Sequence, residues 1–103
     1  MHLNLNISGY EGPLDVLLSL ARSQKVDLTQ ISILQLSEQY LTFISRVHFL
    51  SLEVAADYLV MAAWLAYLKS KLLLPEDEDD DFKALEVAEK LKLQLKKLEL
   101  IRI

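Results

Sequence analysis

Tyr58-Leu59-Val60-Met61-Ala62-Ala63-Trp64-Leu65-Ala66-Tyr67-Leu68 contains no charged residue, and how it is read decides the fold. One stripe through it and its flanks is Val54, Tyr58, Met61, Leu65, Leu68 and Leu72, spaced 4,3,4,3,4, the period of an α-helix face. Leu59, Ala62 and Ala66 lie to one side of that stripe, and Val60, Ala63 and Tyr67 to the other. The helix is therefore apolar nearly all round at its centre and should be covered on more than one side. Ser51 is a good N-cap for it, and Pro75 stops it, giving a length of roughly 34 Å.

Working towards the N-terminus, a short link at 48–50 precedes that helix. Before the link, Leu36, Tyr40, Phe43, Ile44 and Val47 keep helical spacing, which predicts a helix over about 33–47. Its start carries a capping box, Ser32 with Gln35 three residues on, with Ile31 and Leu36 at staple spacing. Residues 25–30 read as a connector. Gly12-Pro13 marks another helix start, because proline at the first helical position loses only an amide without a partner. The helix it opens covers about 13–24, with Leu14, Leu17, Leu18 and Ala21 on one face and Asp15 at the positive end of its dipole. In front of it, Leu3, Leu5 and Ile7 alternate with polar residues. That is the period of a strand, here an extended arm with no sheet to join.

Towards the C-terminus, residues 76–81 are six acids in a row. Their repulsion acts within a Debye length of about 8 Å and keeps such a run extended and solvated. A fourth helix follows, with Ala84, Ala88, Leu91, Leu95 and Leu98 at 3/4 spacing among lysines. The chain stops at Ile103 without a helix stop signal, which reads as a piece of something longer. The sequence therefore predicts an all-α fold with a short extended arm, a three-helix domain over 1–75, an acidic linker over 76–81, and an amphipathic helix from 82 to 103.

Composition narrows the function. The chain has 103 residues, net charge −4, and 52% hydrophobic residues. So small a core cannot hide that much apolar surface, and the surplus should meet a partner, a second copy or a membrane. No cysteine is present, so disulfides and thiolate-bound zinc are excluded, which suits a reducing compartment. The N-terminus has neither the basic region nor the continuous apolar stretch of a signal peptide. His2 and His48 stand apart from activating carboxylates, and His48 fits a packing or solvent role better than catalysis. No clustered His and carboxylate ligands suggest a metal, and the acidic run lacks the interleaved glycine of a calcium loop. Gly9 and Gly12 stand alone, so no glycine loop cradles phosphate. Neither enzyme chemistry, a cofactor nor a small-molecule substrate is expected. The central helix is interrupted by Asp57 and reaches Lys69 and Lys71 too soon to span hydrocarbon. The basic tail has one aromatic, Phe82, too few for a base-stacking surface.

Two stretches carry a resemblance. Tyr10-Glu-Gly-Pro-Leu-Asp-Val-Leu-Leu18 is similar to the opening motif of the segregation and condensation protein A family, the prokaryotic kleisins. Tyr58-Leu-Val-Met-Ala-Ala63 and Lys69-Ser-Lys-Leu-Leu-Leu-Pro75 resemble a second motif of that family. Asp27, Ile31 and Glu38-Gln-Tyr-Leu41 fall where the family has similar residues, and the similarity extends over about 3–81. Tyr10 stands where phenylalanine is usual, and Trp64 where a small residue is usual.

The resemblance implies a non-catalytic subunit of the condensin-like SMC complex, acting in chromosome condensation and segregation, cytoplasmic and associated with the nucleoid. It implies binding to the coiled-coil neck beside an SMC ATPase head, a dimer of segregation and condensation protein B (ScpB) as second partner, and contact with DNA only through the complex. On this chain the neck-binding residues would be Asp57, Val60, Ala63, Trp64, Tyr67 and Lys71, with Trp64 as the hot spot. Leu91, Leu95 and Leu98 would meet the second partner. Gly12, Pro13, Leu14, Ser32, Gln35 and Pro75 would build the fold. Two other readings explain the same apolar surplus: a helical protein that hides it in a homodimer, and an amphipathic binder of membrane surfaces.

Overall fold

A computed structural model of the chain describes residues 9–49, 51–74 and 82–101. Four helices make up the described fold: α1 Pro13–Arg22, α2 Ile33–Arg46, α3 Leu52–Leu73 and α4 Ala84–Ile101. The N-terminal arm, the acidic run and Pro75 lie outside the described residues, as does the proposed stop of α3 by that proline.

α1 starts on Pro13, whose missing amide costs nothing there, while the Gly12 carbonyl accepts from the amides of Asp15 and Val16. Gly12 itself is extended, with φ 165°, and a Cβ on it would meet no atom within 4 Å. Among the described residues, neither backbone angle nor space requires glycine there. Leu14 is half-buried and packs on the core, whereas Val16, Leu17, Leu18 and Ala21 are fully buried. α1 ends in a turn that passes through a left-handed conformation at Lys25, φ 58°.

The connector that follows holds one 3-10 turn, Leu28–Gln30. Asp27 caps it, accepting from the Thr29 amide at 2.9 Å and the Thr29 hydroxyl at 2.8 Å. These bonds favour the ionised carboxylate and hold its pKa below the ordinary value. At the start of α2, Ser32 Oγ accepts from the Gln35 amide at 3.0 Å, as the capping box requires. The return bond comes from elsewhere. Gln24 Oε1 accepts from the Ser32 amide at 2.9 Å, and its Nε2 donates to the Ser32 carbonyl at 3.1 Å. The same Nε2 donates to Gln39 Oε1, and Gln39 Nε2 donates to Ser23 Oγ. An amide from the end of α1 thus does what Gln35 was expected to do, and it ties α1 to α2.

α2 buries Ile33, Leu36, Ser37 and Tyr40. Ser51 caps α3, accepting from the Val54 amide at 3.1 Å. α3 buries Ala55, Tyr58, Leu65 and Leu68, with Met61 and Leu72 partly covered. Val54, expected in that stripe, is 42% exposed; in the first turn Ala55 takes the inward position instead. The Tyr40 hydroxyl donates to the Tyr58 carbonyl at 2.9 Å inside the core, which fixes the rotation of α3 against α2.

α4 packs into this same core. Ala88, Leu91 and Leu95 belong to one cluster with Leu17, Leu36, Tyr40, Leu65 and Leu68. Its contacts run to α1, to the 3-10 turn and to α3, and Arg22 Nε lies 3.8 Å from Glu99 Oε2 across the α1 seam. The residues beyond 82 were expected to form a separate element. The structure instead uses their apolar stripe to close the side of the core that the short α1 and the single 3-10 turn leave open.

Candidate docking surface

Burying Tyr58, Leu65 and Leu68 turns the opposite side of α3 to solvent. Leu52, Ala56, Leu59, Ala63, Ala66, Ser70 and Leu73 are all exposed and follow one another at spacings 4,3,4,3,4,3. Such a row runs straight along a helix and forms the seam of a coiled coil. Its middle is small, so another helix backbone can come close. Beside the row stand Val60 and Tyr67, 70% and 49% exposed. The surplus of apolar residues is thus real surface on this fold, much of it on α3, about 33 Å long, and some on α4.

Of the six residues expected on this face, Asp57, Val60, Ala63 and Tyr67 are exposed, while Trp64 and Lys71 are half-buried. The Tyr67 ring meets Phe82 edge-on, centroids 5.1 Å apart and planes at 74°, and Lys71 Nζ sits 5.5 Å above the Tyr67 ring. These contacts hold Tyr67 in place at the edge of the face. Trp64 is turned towards α4, where it lines a groove with Val87, Lys90, Leu91 and Gln94. It therefore lies at the border of the exposed row and not at its centre. The sequence reading passed over Leu52, Ala56, Ser70 and Leu73 and placed Leu59 and Ala66 on a flank. The 4/3 spacing through Ala63 would have joined all seven.

The residues assigned to a second partner are placed differently. Leu91 and Leu95 are fully buried in the chain's own core and Leu98 is half-buried. They face α1 and the 3-10 turn, which leaves them unavailable to another protein while α4 is docked. The outward leucines of α4 are Leu85, Leu93 and Leu100.

Among the described residues no three His, Asp or Glu side chains come together as metal ligands, and His48 is exposed in its link. No described helix is long and apolar enough to cross a membrane.

What fold and surface define is a small all-helical protein whose longest helix carries an exposed apolar row. Comparison with known proteins gives the particular family. The model of the family described as segregation and condensation protein ScpA matches residues 20–99. Segregation and condensation protein A of Bacillus cytotoxicus is 45% identical over 80 residues, covering 78% of this chain and 32% of that protein. Those of Bacillus cereus and Bacillus anthracis are 44% identical over the same length and shares. The chain belongs to the segregation and condensation protein A family, and it spans about a third of the length of the curated relatives it matches. The match takes in α4 as far as residue 99, past the 3–81 over which the sequence resemblance is specific, and begins after the Tyr10–Leu18 stretch.

Proposed function

We propose that this chain acts in chromosome condensation and segregation as the N-terminal, non-catalytic part of a kleisin subunit, docking α3 against a coiled coil. The observation that carries this reading is the exposed row Leu52, Ala56, Leu59, Ala63, Ala66, Ser70 and Leu73. A seam of this period is complementary to another heptad seam, and its small central residues suit a helix that joins a two-stranded coil as a third member. On the resemblance to the family, the coil would be the neck beside the ATPase head of an SMC protein, in the cytoplasm and on the nucleoid. Asp57, Val60, Ala63 and Tyr67 would contact it, with Trp64 and Lys71 at the border.

A pull-down of the full chain with an SMC head carrying its neck tests this. Ala63→Glu places a charge in the centre of the seam and should weaken capture by at least about tenfold, since an unpaired charge in an apolar contact is costly. Its own melting should not change, because Ala63 is exposed. Undiminished capture by Ala63→Glu and by Val60→Glu with Tyr67→Glu would sink the assignment. If the seam instead joins two copies of this chain, sedimentation will show a dimer that Ala63→Glu dissociates.

The second partner implied by the family, an ScpB dimer, would have to meet α4 from outside. We assign that contact to Leu85 and Leu100, which are 67% and 65% exposed. Loss of ScpB binding in Leu85→Glu with Leu100→Glu is the expected outcome, and retained binding removes the assignment.

A further inference from the structure

A second surface lies where α4 runs back beside α3, and it differs in chemistry from the seam. Here an open groove of about 390 Å³ is lined by Trp64, Val87 and Leu93 with Lys90, Gln94 and Lys97, above the buried Leu91. Lys90 and Lys97 are seven residues apart, and Lys83 stands seven residues before them. Residues at that spacing lie on nearly one line along a helix, about 10 Å apart. All three are exposed.

Among the described residues, the neighbouring lysines of α4 differ in their partners. Lys92 Nζ lies 3.0 Å from Glu89 and Lys96 Nζ 3.4 Å from Glu99, but no carboxylate among the described residues pairs with Lys83, Lys90 or Lys97. Among the described residues, Lys92 and Lys96 thus have carboxylate neighbours, and the lysines beside the groove do not. An apolar floor beside a row of unmatched cations at heptad spacing has a definite complement.

We infer that the groove between α3 and α4 receives a helical segment of a partner protein that bears an apolar stripe flanked by carboxylates at seven-residue intervals. The apolar stripe would lie on Trp64 and Val87, and the carboxylates would meet Lys90 and Lys97, with Lys83 at one end. This does not depend on what covers the outward face of α3. Other occupants fit less well. Nucleic acid would gain from the lysines and nothing from the apolar floor, and it would approach a chain of net charge −4 with six consecutive acids just before α4. A flat anionic membrane cannot enter a concave groove. A second copy could bring its own acidic run, residues 76–81, but that run has no apolar side chain to set on Trp64.

The chain has a single tryptophan, so its emission reports this groove directly. The full chain is titrated with a synthetic helical peptide of about three heptads, with leucines at 3/4 spacing and a flanking glutamate in each heptad. A second peptide has lysine at each glutamate. The expected result is a saturable shift in Trp64 emission with the acidic peptide, weakened at least about tenfold in Lys90→Glu with Lys97→Glu, which now prefers the basic peptide. Lys90→Gln with Lys97→Gln should fall between, and circular dichroism should show all variants folded, since both lysines are exposed. Equal binding of the two peptides, or unchanged binding by the reversed-charge variant, overturns the inference. So does tighter binding of duplex DNA or phosphatidylglycerol vesicles than of the acidic peptide, or lysine-dependent self-association in sedimentation. Because Lys90 and Lys97 lie on α4, outside the exposed row of α3, dependence on their charge is distinct from dependence on Ala63, and failure here is distinct from failure of the α3 seam.

Discussion

The phenol of Tyr40 is fully buried and donates its proton to the Tyr58 carbonyl. Burial disfavours the phenolate and raises the pKa well above its ordinary value; burial raises that of Tyr58 as well. In the unfolded chain a tyrosine loses its proton near pH ~10. Above that pH the unfolded state binds fewer protons than the folded one, so stability falls as pH rises, while below it the contribution is intact. Tyr40→Phe should therefore cost about 1 kcal/mol near neutral pH, from the lost hydrogen bond. It should also lose less on going from neutral pH to about pH 11 than the wild type does. Urea melts at the two pH values check both, and an equal alkaline loss in the two proteins would rule the linkage out. At the same scale, Gln24→Ala should destabilise by about 1 kcal/mol, whereas Gln35→Ala should stay within about 0.5. Thermal melts of the pair would show the reverse order if the capping box read from the sequence were complete in itself. Ser32 and Ser51 were legible because a cap is a local pattern. Gln24 was not, since nothing in its spacing shows that the end of α1 folds back on Ser32.

α3 is two surfaces on one rod, and mutations on them should have opposite consequences. Leu65→Ala removes a fully buried side chain and leaves a cavity, costing about 3 kcal/mol. Val60→Ala, at a site 70% exposed, should stay within about 0.5 kcal/mol. Chemical denaturation of both variants measures the difference, and a large loss in Val60→Ala would mean that residue is covered within the folded chain. The element and its inward stripe were readable from 3/4 spacing, and Tyr58, Leu65 and Leu68 lie where that spacing put them. The outward side was harder. A helix apolar all round has no polar face to mark its exposed side, so only the short helices actually laid against it decide which apolar row is spared. Trp64 shows the limit, because its half-burial comes from α4, an element twenty residues further along the chain.

At the scale of the molecule, the question is whether α4 is an appendage or a wall of the core. The charge pattern suggests an appendage, since a run of six acids resists burial and separates the basic tail from the head. The packing makes it a wall: Leu91 and Leu95 are buried in one cluster with Leu17, Leu36 and Leu65. No local rule predicts this, because docking of α4 depends on how much of the core α1 and the 3-10 turn leave uncovered. Cooperativity separates the two cases. If α4 completes the core, Leu91→Ala should lower the stability of the whole chain by about 2–4 kcal/mol, a large fraction of what a domain this size has to lose. Trp64 emission and far-ultraviolet circular dichroism should then shift together to lower urea in a single transition. An appendage would give a different record. Its helix would melt early and separately, and the transition of α1, α2 and α3 would keep its midpoint whatever stood at position 91. Coincident, shifted curves would also mean that any partner engaging Leu91 or Leu95 must first pull α4 from the core. The cost of that opening would subtract from the partner's affinity, and so favour contacts that leave α4 in place.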